Sequence, residues 1–148
     1  MTGDIAFNDF NLSLKMEPTS DDTTSGIYVT MQVDTNSTGV GCPLYLAADG
    51  NWDEADASAI ATAPATGLAM ETGTGAGKKV LLFGIMRNDG WAFTIGPGEL
   101  SLVFLSPTIG TLTQTVPSGA NEVIQAVGFA LSDDVLFFNP TLHAIEHT

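Results

Sequence analysis

The sequence predicts an all-β domain, and its composition and a repeat within the chain both support that prediction. Hydrophobic residues make up 44% of the chain and charged residues only 14%, while 16 glycines and 7 prolines supply turns between short apolar stretches. With 148 residues the chain has the usual size of one domain, about 100–200 residues. No apolar stretch reaches the ~18–20 residues of a membrane span.

The repeat appears in two short segments that share a pattern, residues 65–71 (ATGLAME) and 126–132 (AVGFALS). Upstream of each segment lie a short apolar stretch, a glycine turn and a proline. Matched positions are 59, 60 and 61 residues apart, as Tyr45 and Phe104, Gly50 and Gly110, and Gly67 and Gly128 show. A nearly constant offset is typical of a duplicated supersecondary unit. We therefore expect a single compact β-barrel-like domain built from two similar halves.

The chain divides into two regions. Residues 1–38 predict an N-terminal β arm or hairpin that packs on the barrel or reaches a neighbouring molecule, with an ordinary edge hairpin as the alternative. Residues 39–148 predict the barrel-like domain. Its expected strands cover 43–46, 68–71, 80–87, 91–95, 100–105, 124–131 and 135–138, with a short helix within 53–65, a flexible loop at 73–77 and an edge strand in the tail 142–147.

The chain is strongly acidic, and this charge excludes several classes of partner. Seventeen acidic and four basic residues give a net charge of −13 and a pI near 4.1. Nucleic-acid binding requires a basic surface that displaces counterions, and anionic membranes repel an acidic one. Residues 1–4 show neither the basic nor the apolar region of a secretory signal. We expect synthesis in the cytoplasm and no nucleic-acid or membrane partner.

Short motifs in two glycine turns do not complete a binding site. In the loop at 73–79, Thr72 replaces the first glycine of a phosphate-binding loop, Lys79 replaces its hydroxyl residue, and a strand is expected to follow instead of a helix. Residues 49–53 begin like a calcium loop, but Ile60 occupies the position of the bidentate acid. Both segments are interpreted as solvated turns, so no cofactor is expected.

The residues that usually carry catalysis are few and poorly placed. His143 and His147 would lie about 13 Å apart on one face of a strand, too far apart to share a metal ion. Cys42 precedes Pro43 at the start of a strand, where a buried structural thiol is the default interpretation. We expect neither a metal site nor an enzyme.

Trp52 and Trp91 each follow a turn that contains glycine. A tryptophan in this position usually packs into the core or caps a small barrel. The alternative is that the two rings face a ligand, because aromatic rings at loop edges stack on sugars.

Several blocks of the chain resemble a virion surface module of tailed bacteriophages, found in capsid-decorating, head-fibre, tail-fibre and baseplate-associated proteins. The resemblance covers residues 39–140. It is carried by Gly41-x-Pro43-Leu44-Tyr45-Leu46, by Pro64-Ala65-Thr66-Gly67-Leu68-Ala69, by Gly84-Ile85-Met86-Arg87-Asn88-Asp89-Gly90-Trp91, and by the closing blocks Leu112-Thr113-Gln114-Thr115-x-Pro117-Ser118-Gly119, Val127-Gly128-x-Ala130-Leu131 and Phe138-Asn139-Pro140.

The resemblance implies a non-enzymatic structural protein on the surface of the virion. Because the chain carries no long shaft segment, it favours a capsid decoration (cement) protein that binds the major capsid protein, as a homotrimer, and stabilises the shell. Phe7, Phe10, Leu12 and Leu14 in the N-terminal arm are the candidate contacts with the shell or with a neighbouring protomer.

Two alternatives remain open. The first is a receptor- or glycan-binding tip module of a tail or head fibre, which would use Trp52, Trp91 and the loops around them. The second is a small cellular β-barrel with a ligand of unknown class.

Overall fold

A computed structural model describes residues 18–97 and 101–147 and confirms a single, nearly all-β domain. The strands are β1 (Thr24–Val33), β2 (Pro43–Leu46), β3 (Trp52–Glu54), β4 (Gly67–Ala69), β5 (Gly75–Arg87), β6 (Leu102–Leu105), β7 (Leu112–Thr113), β8 (Val123–Ile124), β9 (Ala126–Ala130), β10 (Val135–Phe138) and β11 (Ile145–Glu146). Nine of them form one sheet in the order β1-β3-β2-β4-β5-β10-β9-β6-β7, and β11 pairs with β8. A three-residue 3-10 turn, Ile60–Thr62, lies between β3 and β4.

The two predicted halves are present and have the same pairing. In the first half β2 pairs antiparallel with β3 and β4, and in the second half β6 pairs antiparallel with β7 and β9. The next strand of each half, β5 or β10, then pairs with β4 or β9. The register repeats as well, with offsets of 59, 60 and 61 residues: Leu44 faces Gly67 and Tyr45 faces Asp53, as Val103 faces Gly128 and Phe104 faces Thr113.

The halves join through β5 and β10, which pair antiparallel with each other. The order β3-β2-β4-β5 on one side of this junction is mirrored by β10-β9-β6-β7 on the other. The repeat unit is therefore a four-stranded sheet, and the two units meet edge to edge at their last strands.

Strand β1 lies within the predicted arm and belongs to the main sheet. It pairs along its length with β5 and, at Val33, with Trp52 of β3. Residues 1–17 of the predicted arm lie outside the described residues. Strand β5 begins at Gly75, which pairs with Val33 of β1, so the expected loop at 73–77 is corrected. Positive φ angles at Gly75 and Gly77 allow the register shift in this part of the ladder.

The barrel is only partly formed. Strands β1, β3, β2, β4 and β5 are joined in a ring by their pairings, but the whole sheet does not close, and within the described residues β7 pairs only with β6. The segment after β3 bridges the two halves, since Ala57 donates to Ser106 O at 2.8 Å and accepts from Val123 N at 2.8 Å. These bonds hold the backbone extended, so the short helix expected within 53–65 was wrong apart from the 3-10 turn.

The prediction of a strand at 91–95 is wrong. The segment runs without ladder pairing. Other bonds hold its backbone: Phe93 N donates to Asp133 O at 2.8 Å, and the Gln114 side chain accepts from Thr94 N at 2.6 Å and donates to Thr94 O at 2.8 Å.

The core has two parts. The larger cluster takes residues from both halves, among them Leu68 and Leu81 from the first and Leu105 and Phe138 from the second. The smaller cluster lies within the first half and includes Trp52. Because the larger cluster is shared, neither half contains its own complete core.

Candidate functional site

The neighbouring strands β5, β10, β9 and β6 carry apolar side chains on both faces. Met86, Leu136 and Ala130 lie opposite one another and pack into the larger core. Successive side chains of a strand point to opposite faces, so Phe137 and Phe129 lie on the other face. Antiparallel sheets with one solvated face usually carry polar residues there, and this sheet does not.

Five apolar residues form a continuous row across this second face, which we call the outer stripe. Ile27 lies opposite Phe83, and Phe129 lies opposite both Phe137 and Leu102. The Phe137 ring centroid is 5.2 Å from those of Phe83 and Phe129. Phe129 is 41% exposed and Ile27 is 52% exposed. Crossing five strands, the outer stripe is about 19 Å long at a strand spacing of about 4.8 Å.

The outer stripe is a candidate protein-binding surface. Removing apolar surface from water stabilises a complex by about 25 cal/mol per Å². The other three residues, Phe83, Phe137 and Leu102, are partly buried, so a partner would complete the burial of a row that is already half covered. The aromatic pairs also fix the ring positions, so the surface is rigid before any partner binds.

Positive charge in the described residues is confined to β5, the second of the five strands that the outer stripe crosses. Lys78, Lys79 and Arg87 all lie on β5. The Lys79 ammonium is 6.0 Å from the Tyr28 ring centroid. Arg87 pairs with Asp89 at 2.6 Å and Asp134 at 2.8 Å. The Ser132 hydroxyl, and after it Arg87, lower the pKa of the Asp134 carboxyl below its ordinary value.

The first described residue lies beside the outer stripe. Pro18 is buried, its carbonyl accepts a hydrogen bond from Arg87 Nη1 at 3.4 Å, and it borders a cavity of about 470 Å³ with Leu131 and Val135. Val135 precedes Phe137 by two residues and shares its face. The chain before Pro18 therefore starts at the rim of the outer stripe.

The four predicted contact residues of the arm, Phe7, Phe10, Leu12 and Leu14, lie outside the described residues. Their role stays a prediction.

A second surface feature, the Trp91 groove, lies between the two halves. It has a volume of about 490 Å³ and is lined by Trp91 and Phe93, whose ring centroids are 5.1 Å apart, and by Thr38, Asn88 and Thr113. Trp91 is half-buried. An aromatic ring among hydroxyl and amide groups suits a polar ligand with an apolar face.

Trp52 lies elsewhere and has a core position. Its side chain is 5% exposed, and its indole nitrogen donates to Met31 Sδ at 3.2 Å. The core interpretation of this residue is confirmed, and the alternative that it faces a ligand is corrected. The structure thus separates the two tryptophans that the sequence placed in one candidate site.

The remaining candidates are structural or solvated. Cys42 is buried, as predicted, and burial raises the pKa of its thiol from 9.0 to about 12. His143 and His147 are exposed. Within residues 18–97 and 101–147, no group of three or more His, Cys, Asp or Glu side chains is placed to hold a metal ion.

Sequence reasoning missed the outer stripe, because the apolar strands that form it gave an ambiguous signal. The expected strands 80–87 and 135–138 are continuously apolar instead of alternating. Such a pattern is typical of a strand that is buried on both faces. The same pattern is also found in a strand whose second apolar face lies at the protein surface. Periodicity alone does not distinguish a strand buried on both faces from such a surface strand.

In the described part of the chain no helix is long and apolar enough to cross a membrane. Comparison with known proteins finds no matching family model, no matching curated protein and no matching solved structure.

Proposed function

We propose that this chain is a non-enzymatic structural protein of a tailed-phage virion, most simply a capsid decoration protein that binds the outer surface of the head. The observation that carries the proposal is the outer stripe, a rigid apolar surface on the face of the sheet opposite the core. Such a surface suits a protein that assembles with other subunits, and the outer stripe would be one part of that contact. The resemblance of residues 39–140 to virion surface modules gives the assembly in which this would happen.

The mechanism would be bridging of shell subunits. A homotrimer that contacts several copies of the major capsid protein adds interface area at their junctions. Because the decoration protein binds only the assembled shell, binding stabilises the shell by mass action. The acidic surface keeps the free protein soluble at high copy number.

The test is sedimentation of the purified protein with undecorated capsids, after its mass has been measured by light scattering. We expect a trimer that sediments with the shells. Deletion of residues 2–15 should abolish binding and leave the near-ultraviolet and far-ultraviolet circular dichroism of the domain unchanged. A monomer that stays in the supernatant would contradict the proposal, and decoration by the truncated protein would contradict the role of the arm.

The Trp91 groove favours a second candidate function, a receptor- or glycan-binding tip module of a fibre. Titration of host cells or a glycan array with the isolated protein tests it. Binding that is lost in Trp91→Ala and kept in Ile109→Ala, an exposed apolar control, would support this function. A decoration protein should bind neither cells nor glycans.

A further inference from the structure

We propose that the outer stripe binds the N-terminal segment, residues 1–17, of a neighbouring copy of this chain. The inference rests on the proposed function, which has copies assembling side by side, and it names the partner of the outer stripe. Four observations support it: the size of the stripe, the apolar pattern of the segment, the charges beside the stripe and the position of Pro18.

The size of the outer stripe fits an extended segment better than a folded partner. The stripe is one side chain wide and about 19 Å long, which gives an area on the order of 200 Å². A stable interface between two folded proteins buries about 800 Å² on each partner. Six residues of extended chain at about 3.3 Å per residue cover the whole length. A single strand-like segment therefore matches this surface.

The N-terminal segment has the matching apolar pattern. Phe7, Phe10, Leu12 and Leu14 are large apolar residues separated by polar or small ones, and the last three alternate in the strand manner. In an extended chain Phe10, Leu12 and Leu14 lie on one face and span about 13 Å, about two-thirds of the length of the outer stripe, while Phe7 lies on the opposite face. Alternate side chains of such a segment would pack on the aromatic rings of Phe83, Phe137 and Phe129.

The charges are complementary. The segment contains Asp4, Asp9 and Glu17 against a single Lys15. Every positive side chain in the described residues lies on β5, the strand that carries Phe83. In a chain of net charge −13, this strand is where an acidic segment meets the least repulsion.

The position of Pro18 indicates that the N-terminal segment binds the outer stripe of a neighbouring copy and not that of its own chain. Two strand residues, about 7 Å, separate Val135, beside Pro18, from Phe137. The chain's own segment would therefore reach the outer stripe at β10, its middle strand, with only about 10 Å of stripe on either side. Leu12 and Phe10, about 20 and 26 Å from Pro18 in an extended chain, would pass the end of the stripe. On a neighbouring copy the apolar residues can align with the outer stripe, and 17 residues reach up to about 56 Å.

Photo-crosslinking of the full chain tests this arrangement. A photoreactive phenylalanine analogue is placed at position 129, and equal amounts of unlabelled and ¹⁵N-labelled protein are refolded together before irradiation. Trypsin cleaves after Lys15 and Arg87, so the expected product joins peptide 1–15 to peptide 88–148. About half of these products should combine one labelled and one unlabelled peptide. Products of uniform label only, or no product that contains peptide 1–15, would overturn the proposal.

Substitutions give an independent readout. Phe129→Ser, and the double variant Phe10→Ser/Leu12→Ser, should each lower the mass measured by light scattering towards that of the monomer. Phe129 is already 41% exposed, so the circular dichroism should not change. Ile109→Ser is the matched control, since Ile109 is 52% exposed and lies outside the outer stripe. An unchanged mass for Phe129→Ser would contradict the proposal.

Neither experiment contains capsids, so the two proposals fail separately. If crosslinks join labelled to unlabelled peptides but the protein does not bind shells, the decoration function is wrong and the binding of the N-terminal segment to a neighbouring copy stands. If the protein binds shells but gives no such crosslinks, the decoration function stands and the binding of the segment to a neighbouring copy is wrong.

Discussion

At the residue scale, two glycines set the distance between β1 and β5. Gly26 and Gly84 face each other across the ladder, and a Cβ on Gly84 would lie 2.6 Å from the Gly26 Cα. Gly84 also has a φ of 145°, which side chains rarely adopt. On its other side Gly84 faces Phe138 of β10, so this residue lies where three strands meet.

We predict that Gly84→Ala lowers the free energy of unfolding by roughly 2–4 kcal/mol, because it adds a backbone clash to the strained φ. Gly73→Ala is the control, since its φ is 73° and a Cβ there would meet no heavy atom within 4 Å. Its expected loss is about 1–2 kcal/mol from the backbone alone. Urea denaturation measures both, and equal losses would show that the contact with Gly26 does not matter.

Cys42 gives a prediction on pH. Burial raises the pKa of its thiol from 9.0 to about 12, so between these values the folded chain keeps a proton that the unfolded chain releases. Stability should therefore be complete below pH 9 and fall as the pH rises through this window, by at most about 1.4 kcal/mol per pH unit. Denaturation of the wild type and of Cys42→Ala between pH 8 and 11 should show a shallower slope for the variant; parallel slopes would contradict the assignment.

The burial of Cys42 and Trp52 could be predicted from their residue types and positions. The pairing of Gly26 with Gly84 could not, because strand register follows from the global arrangement of the sheet and two glycines 58 residues apart carry no local signal.

At the scale of elements, Gln125 holds the two halves together. Its buried amide accepts from Ala65 N at 2.8 Å and donates to Ala65 O at 2.8 Å and Thr141 O at 2.7 Å. One side chain thus ties the segment before β4 to the segment between β8 and β9. Gln114 makes a comparable two-point contact with Thr94, but that contact is exposed.

We predict that Gln125→Leu destabilises the fold by about 2–4 kcal/mol, because it leaves the buried N–H and C=O of Ala65 without partners. Gln114→Leu should cost less than about 1 kcal/mol, since water can replace the lost bonds. Thermal or urea unfolding of both variants gives the comparison. A loss for Gln125→Leu no larger than that for the control would contradict the role of the buried amide.

The contrast between these two glutamines explains why some elements could be predicted and others could not. Strands β2, β6, β9 and β10 follow from apolar stretches bounded by turns, and the sequence indicated them. The segment 91–95 has the same local pattern, yet its backbone bonds to the side chain of Gln114 and to Asp133 O instead of to a strand. A side chain that forms hydrogen bonds with the backbone of a residue 20 positions away leaves no periodic pattern in the sequence.

At the scale of the whole molecule, the shared core makes the halves interdependent. Leu68 and Leu81 of the first half are buried in one cluster with Leu105 and Phe138 of the second. Although the repeat suggests two modules, neither can bury its apolar face alone.

We therefore predict a single cooperative unfolding transition. In Trp91→Phe the remaining tryptophan, Trp52, reports on the first half by fluorescence, and far-ultraviolet circular dichroism reports on both halves. The two urea curves should have the same midpoint. Separate midpoints would show that the halves unfold independently.

The duplication and the all-β class were the parts of the fold that the sequence could supply, because both are local or periodic signals. The outer stripe could not be identified in this way, since it is assembled from five strands and exists only once their order is known.

The repeated unit has a consequence for ancestry. Duplication of a gene for one four-stranded unit would give two units in one chain with the same pairing and register, as found here. Strand β1 pairs along β5 and has no counterpart among the described residues of the second half, so it would be an addition to one copy only.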